Sequence, residues 1–188
     1  MNAHPDQPPI EGPHHVRCPP VVQPPAAGTY RIDPSTSTIA FTTRHMFGTG
    51  AVEGSFDLSS GEIIVAEPIT ASQVVAAAAA NSFTTGNPKR DKHVKSADFL
   101  QAETHPEISF RSSQLVRDGA SWLLRGTITA RGNTAPVELT IIEATTDPTG
   151  LTLRATGKVD RYAHDITKLK GMAARYLTLN ISAHADRV

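Results

Sequence analysis

Between Thr29 and Ala185 apolar and polar residues alternate in short runs, and no long helical period displaces them. The pattern is plain in Ser37-Thr38-Ile39-Ala40-Phe41-Thr42-Thr43 and in Trp122-Leu123-Leu124-Arg125-Gly126-Thr127-Ile128-Thr129-Ala130-Arg131. It returns in Leu151-Thr152-Leu153-Arg154-Ala155-Thr156 and Leu177-Thr178-Leu179-Asn180-Ile181-Ser182. A period of two sets alternate side chains on opposite faces of a strand. Many such strands, parted by turn residues, predict a sandwich or a closed barrel. An up-and-down barrel of about eight strands encloses enough space for one small ligand.

The predicted strands cover 30–33, 37–45, 51–58, 62–66, 107–116, 121–131, 137–145, 151–160 and 175–185, with a longer loop over 162–173. Gly48-Thr49-Gly50, Ser59-Ser60-Gly61, Asp118-Gly119, Gly132-Asn133 and Asp147-Pro148-Thr149-Gly150 read as turns. Their close spacing implies antiparallel neighbours. Asn87-Pro88 opens a short helix over 88–95, with Asn as N-cap and Pro at the first helical position. Ser96 or Asp98 then caps a further turn carrying Phe99 and Leu100. The alanine-rich segment 71–83 reads equally well as helix, by propensity, or strand, by context.

The length of 188 residues fits one domain. Residues 1–27 form a Pro- and His-rich arm whose composition favours extended conformations, and residues 28–188 carry the strand pattern. Lys+Arg and Asp+Glu balance at 18 each, so no whole-protein field draws in nucleic acid. No run of about twenty apolar residues offers an integral membrane segment. The arm lacks a basic stretch followed by an apolar one, which leads us to expect no secretory signal and a cytoplasmic protein. The extended arm makes a homodimer reasonable. Cys18 is the single cysteine, which rules out an internal disulfide framework.

Several short motifs occur in a definite order. Tyr30-Arg31-Ile32-Asp33-Pro34 precedes Ser37-x-Ile39-x-Phe41 and His45, then Gly54-x-Phe56. Ser82-x-x-Thr85-Gly86-Asn87 and Arg90-Asp91-x-His93 follow. Next come Asp98-Phe99, His105-Pro106-x-Ile108-x-Phe110 and Gly126-x-Ile128-Thr129-x-Arg131-Gly132-x-Thr134. In this order and spacing the chain resembles the YceI-like family of polyisoprenoid-binding, lipocalin-like barrels over roughly residues 29–185. The resemblance implies an antiparallel barrel with a long apolar ligand inside, and a strand rather than a helix leading into Ser82. The family commonly carries an aromatic-glycine pair soon after an arginine in the late loop. This chain departs from it with Arg161-Tyr162-Ala163-His164-Asp165.

The inward face of such a barrel is expected to carry Ile39, Phe41, Thr43, Ala76, Ala78, Phe110, Trp122, Leu124, Ile128, Leu139, Leu153 and Leu179. Small residues at Ala76, Ala78, Gly126, Ala130, Ala155 and Gly157 favour a cavity over a filled core. Enclosing about ten to fifteen lipid carbons would gain roughly 8–12 kcal/mol, against association costs of several kcal/mol. Arg90 and His93 on the basic helix, with His45 and Arg131, are the candidates for meeting a polar head group. Solvated or structural roles for them are the simpler readings.

No metal site is expected, since His14-His15-x-x-Cys18 lacks a second ligand pair. No nucleophile elbow, phosphate loop, dinucleotide fingerprint or zinc-protease motif is found, and no catalytic residue or cofactor is expected. The function that follows is non-enzymatic binding of an isoprenoid or other long-chain amphiphilic lipid, for transport, storage or shielding. Two alternatives stay open. One is an enzyme acting on an isoprenoid- or quinone-like lipid through His45, His93 or Arg131. The other is a stress-related interaction module that uses the barrel as a scaffold.

Overall fold

The computed structural model describes residues 24–45 and 50–188. Among these, ten strands form one antiparallel sheet: β1 (Gly28–Ile32), β2 (Thr38–His45), β3 (Gly50–Phe56), β4 (Leu58–Val65), β5 (Gln73–Ala79), β6 (Glu107–Asp118), β7 (Ser121–Ala130), β8 (Asn133–Thr146), β9 (Gly150–Asp160) and β10 (Tyr176–Arg187). β1 pairs with both β4 and β10, so the ring β1-β4-β5-β6-β7-β8-β9-β10 closes with eight strands.

The remaining two strands extend that ring. Ala185 and Arg187 of β10 pair with β1, while Thr178–Ser182 pair with β2. β1 and β2 thus run along one neighbour as a single strand interrupted at residues 33–37. Asp33 fastens the interruption, accepting hydrogen bonds from the Ser35 N–H (2.8 Å), the Ser35 hydroxyl (2.7 Å) and the Thr36 hydroxyl (3.0 Å). β3 and β4 are likewise parted only by Asp57, and β3 is tied to the segment after β5 by reciprocal Ser55–Thr84 backbone bonds. The expected turn at Ser59-Ser60-Gly61 is instead a bulge inside β4, between Leu58 and Ser60. The turn expected at Gly48-Thr49-Gly50 falls largely on 46–49, which lie outside the described residues.

The alanine-rich segment forms β5. Alanine's helix propensity is worth only tenths of a kcal/mol per residue over most alternatives. Here both edges of the backbone are engaged: Ala76 faces Gly61 on one side and Phe110 on the other, and Ala78 faces Leu58 and Ile108. Leaving those two ladders unpaired inside a barrel would cost far more than the propensity lost.

Helix α1 (Pro88–Lys95) begins where predicted, with the Asn87 side chain accepting from the Arg90 N–H at 3.2 Å. Its buried Asp91 reaches back to the preceding turn. It accepts from the Thr85 N–H (3.0 Å), the Thr85 hydroxyl (2.6 Å) and the Thr84 hydroxyl (3.3 Å). Burial pushes the Asp91 carboxyl up, but these hydrogen bonds outweigh it and hold its pKa below the ordinary value. The helix and the turn after it close one end of the barrel over Phe41, Phe83, Phe99, Leu100 and Ile166. Phe41 stacks on Phe83 at 5.3 Å.

At the opposite end, Pro24 and Pro25 lie near Trp122 and Ile141. Tyr30 Oη donates to the Ala26 carbonyl (2.8 Å) and Arg187 Nη2 to the Ala27 carbonyl (2.9 Å), fastening this part of the arm. Residues 1–23, including His14, His15 and Cys18, lie outside the described residues. No helix among the described residues is long and apolar enough to cross a membrane.

Candidate functional site: an apolar cavity with one polar end

Between the two closed ends lies a cavity of about 190 Å³ whose open surface is apolar. Nine of the twelve predicted lumen residues line it: Ile39, Ala76, Ala78, Phe110, Leu124, Ile128, Leu139, Leu153 and Leu179. The other three lie elsewhere along the barrel. Phe41 is 2 % exposed and serves as part of the stopper at one end, stacked on Phe83. Thr43 lies two residues beyond it and donates to the Tyr176 carbonyl at 3.0 Å. Trp122 borders a second hollow of about 60 Å³ at the proline end. A period of two assigns a face but carries no depth, so residues near strand ends on the correct face fall past the cavity.

The small residues divide in the same instructive way. Ala76, Ala78, Ala130 and Ala155 line the cavity. Gly126 and Gly157 do not line it. A Cβ on Gly126 would strike the Arg111 carbonyl and come within 2.8 Å of the Phe110 ring, and one on Gly157 would lie 2.5 Å from Leu139. These glycines seat neighbouring side chains. The four alanines are the small residues that border the open space.

Ile63, Val74, Leu124 and Leu153 belong to the walls of both hollows. Four aliphatic side chains therefore partition a combined space of about 250 Å³. An apolar cavity of about 150 Å³ holds benzene, so the combined space takes roughly ten carbons, or about two isoprene units. Their burial gains roughly 8 kcal/mol, the low end of the sequence-based expectation.

The expected head-group residues do not meet in the cavity. Arg90 Nε donates to the Thr85 hydroxyl at 2.7 Å. His93 faces Asp98 at 3.3 Å and packs edge-on against Phe99, and Lys168 also pairs with Asp98, at 3.4 Å. Arg131 has φ +51 and shares a two-residue hairpin turn with Gly132 (φ +73), between Ala130 and Asn133. Positive φ at both positions marks the turn that suits a twisted hairpin. Its guanidinium staples two loops, donating to the carbonyls of Asp165 and Ala97. None of the three lines the cavity. His45 ends β2 opposite Gly50, and its side chain lies outside the described residues.

The polar groups at the cavity come from the late loop, where the sequence departs from the family pattern. Arg161–His164 form a 3-10 turn capped by Asp160, whose carboxylate accepts from the Tyr162 N–H at 3.0 Å. Arg175 grips the same carboxylate at 2.5–2.9 Å and holds its pKa below the ordinary value. Arg161, 7 % exposed, lines the cavity. Its guanidinium donates to four carbonyls: Ala174 (2.8 Å), Ile166 (2.6 Å), Lys168 (2.9 Å) and Ala173 (3.0 Å). Burial pulls its pKa down, opposed by Tyr162 and Asp160. His164, 3 % exposed, also lines the cavity. Asp165 follows with φ +58, a left-handed conformation that favours glycine. Sequence reasoning marked this stretch as unusual and placed it near the barrel mouth, but did not single out Arg161 or His164 as site residues. No group of three or more His, Cys, Asp or Glu among the described residues could hold a metal ion.

Comparisons with known proteins agree with this architecture. The family described as the YceI-like domain matches residues 30–185. A UPF0312 protein of Pectobacterium carotovorum is 31% identical over 155 residues, covering 79% of this chain and 80% of the relative. A UPF0312 protein of Vibrio cholerae is 33% identical over 131 residues, 66% of this chain and 68% of the relative. Among solved structures, Burkholderia cenocepacia BcnA superposes with a TM-score of 0.73 at 18% identity, covering 81% of this chain and 98% of BcnA. A polyisoprenoid binding domain from Saccharophagus degradans, implicated in plant cell wall breakdown, gives 0.65 at 12% identity, covering 87% and 100%.

Proposed function

The chain belongs to the YceI-like family, and on that footing we propose that it binds an isoprenoid-type or other long-chain amphiphilic lipid in the barrel interior, for transport, storage or shielding. One observation carries the reading: an apolar cavity of about 190 Å³ lies inside a closed barrel, bordered by four alanines where larger side chains would have filled it. The polyisoprenoid binding domain of similar fold supports the same class of ligand. The alternative of lipid-modifying catalysis needs acid–base groups at the cavity. Its named candidates Arg90, His93 and Arg131 are engaged with Thr85, Asp98, Ala97 and Asp165.

The length of the enclosed segment follows from the geometry. The main hollow alone takes roughly eight carbons, judged against benzene in a cavity of about 150 Å³. A longer chain must swing aside the four-residue partition and then displace the proline stopper. Solvent extraction of the purified protein, followed by mass spectrometry, is the direct test. The expected result is about one long-chain species per chain, and re-uptake of that species by the delipidated protein. Extracts free of such a species, with no uptake by the delipidated protein, would refute the proposal.

A further inference from the structure

His164 is the one cavity-lining histidine among the described residues, and its two ring nitrogens differ. Nδ1 lies 3.0 Å from the Asn133 carbonyl oxygen, while the Asn133 side-chain amide donates to the His164 carbonyl at 3.3 Å. A carbonyl can only accept, so Nδ1 carries the proton and Nε2 of the neutral ring presents a bare lone pair. Nε2 makes no hydrogen bond among the described residues. No buried side-chain nitrogen or oxygen among them lacks a partner, so Nε2 retains a little open surface. The ring is otherwise buried, it lines the cavity, and its opposite edge is held by Asn133. Nε2 is therefore an acceptor opening into the apolar space.

Arg161 stands at the same end of the cavity. Four of its five N–H groups are committed to main-chain carbonyls, and one N–H of Nη2 is left. The cavity end thus offers one acceptor and one donor. We propose that this pair recognises a hydroxyl group, so that the preferred ligand is a neutral hydroxyl-terminated amphiphile, a long-chain alcohol or a phenol. The proposal rests on the lipid-binding reading above and specifies its head group. A hydroxyl donates to Nε2 and accepts from Nη2, satisfying both. A phosphate or carboxylate needs several donors, and here it would meet one N–H beside a lone pair. The other cations nearby are taken: Arg131 by Ala97 and Asp165, Lys168 by Asp98.

The test uses two isomers of equal size. 1-Octanol and heptyl methyl ether differ in that only the alcohol can donate a hydrogen bond. Each competes with the fluorescent apolar probe N-phenyl-1-naphthylamine for the delipidated protein, beside octanoate and octyl phosphate. The alcohol should bind about tenfold more tightly than the ether, the ratio expected for one buried hydrogen bond gained, and more tightly than either anion. H164N keeps a donor at the Nδ1 position for the Asn133 carbonyl but removes the Nε2 acceptor. It should erase the preference while leaving ether affinity within about twofold, on the same reasoning. H164Q places an amide near the Nε2 position and should retain the preference. Equal affinity of the two isomers for the natural protein, a preference that survives in H164N, or tighter binding of octyl phosphate would overturn the assignment. If the protein takes up neither isomer nor the probe, the lipid-binding reading itself falls.

Discussion

Replacing Ala78 by leucine turns the existence of the cavity into a question of sign. Ala78 lies on β5 between Leu58 and Ile108, and all three line the hollow. The substitution adds three carbons, which occupy roughly 75 Å³ when scaled from benzene in a 150 Å³ cavity. That is under half of the 190 Å³ present. If the space is open, the added carbons are buried without displacing a neighbour, and the gain is about 2 kcal/mol at most. In a filled core the same insertion costs about 1–3 kcal/mol. For a chain of this size each kcal/mol moves Tm by roughly 2–4 °C, so the two cases differ in direction. Urea unfolding by linear extrapolation measures the difference, and lipid extraction from the same preparation measures occupancy. We expect equal or higher stability together with reduced lipid content. A drop in stability above about 1 kcal/mol with undiminished lipid content would refute the reasoning.

Two further predictions concern the late loop. Arg161→Met should destabilise the protein by about 3–5 kcal/mol, read by urea unfolding, because it strands carbonyls that the guanidinium now satisfies; a loss below about 1 kcal/mol would show that the loop does not depend on it. Asp160 has a folded pKa held below its ordinary value by Arg175. Its contribution is therefore present above the unfolded pKa and disappears as the pH falls through the folded one. Asp160→Asn should be less stable than the natural protein at pH 7, and the gap should close as the pH is lowered below the ordinary carboxylate range of about 3.9. A gap that is independent of pH would refute the ion pair.

Alternation along the chain was enough to place nine lumen residues, because side-chain face depends only on local backbone geometry. Depth along the barrel depends on where the chain ends meet the sheet, and for that reason Phe41 and Trp122 fell beyond the cavity. Gly126 and Gly157 read as emptiness in one dimension, whereas the rings and methyls that fill them belong to Phe110 and Leu139 on other strands. The Asn87-Pro88 start of α1 was legible since capping is local. The bulge at Ser60 was not, since Ser-Ser-Gly serves a turn as readily, and cross-strand pairing decides between them. Arg161 and His164 left one trace, the departure from the family pattern at 161–165. Their approach to the cavity depends on the Asp160 cap and on the hairpin at Asn133, more than twenty residues away.

The two stoppers are fastened unequally. One is stitched by Arg131, Arg161 and Asp91 into several loops. The described part of the other rests on two prolines, a tryptophan and a pair of tethers, from Tyr30 and Arg187. Thermal excursions begin where the fewest bonds must break. The molecule therefore behaves as a flask rather than a pipe, with a fused base at the histidine and a neck that loosens first at the prolines.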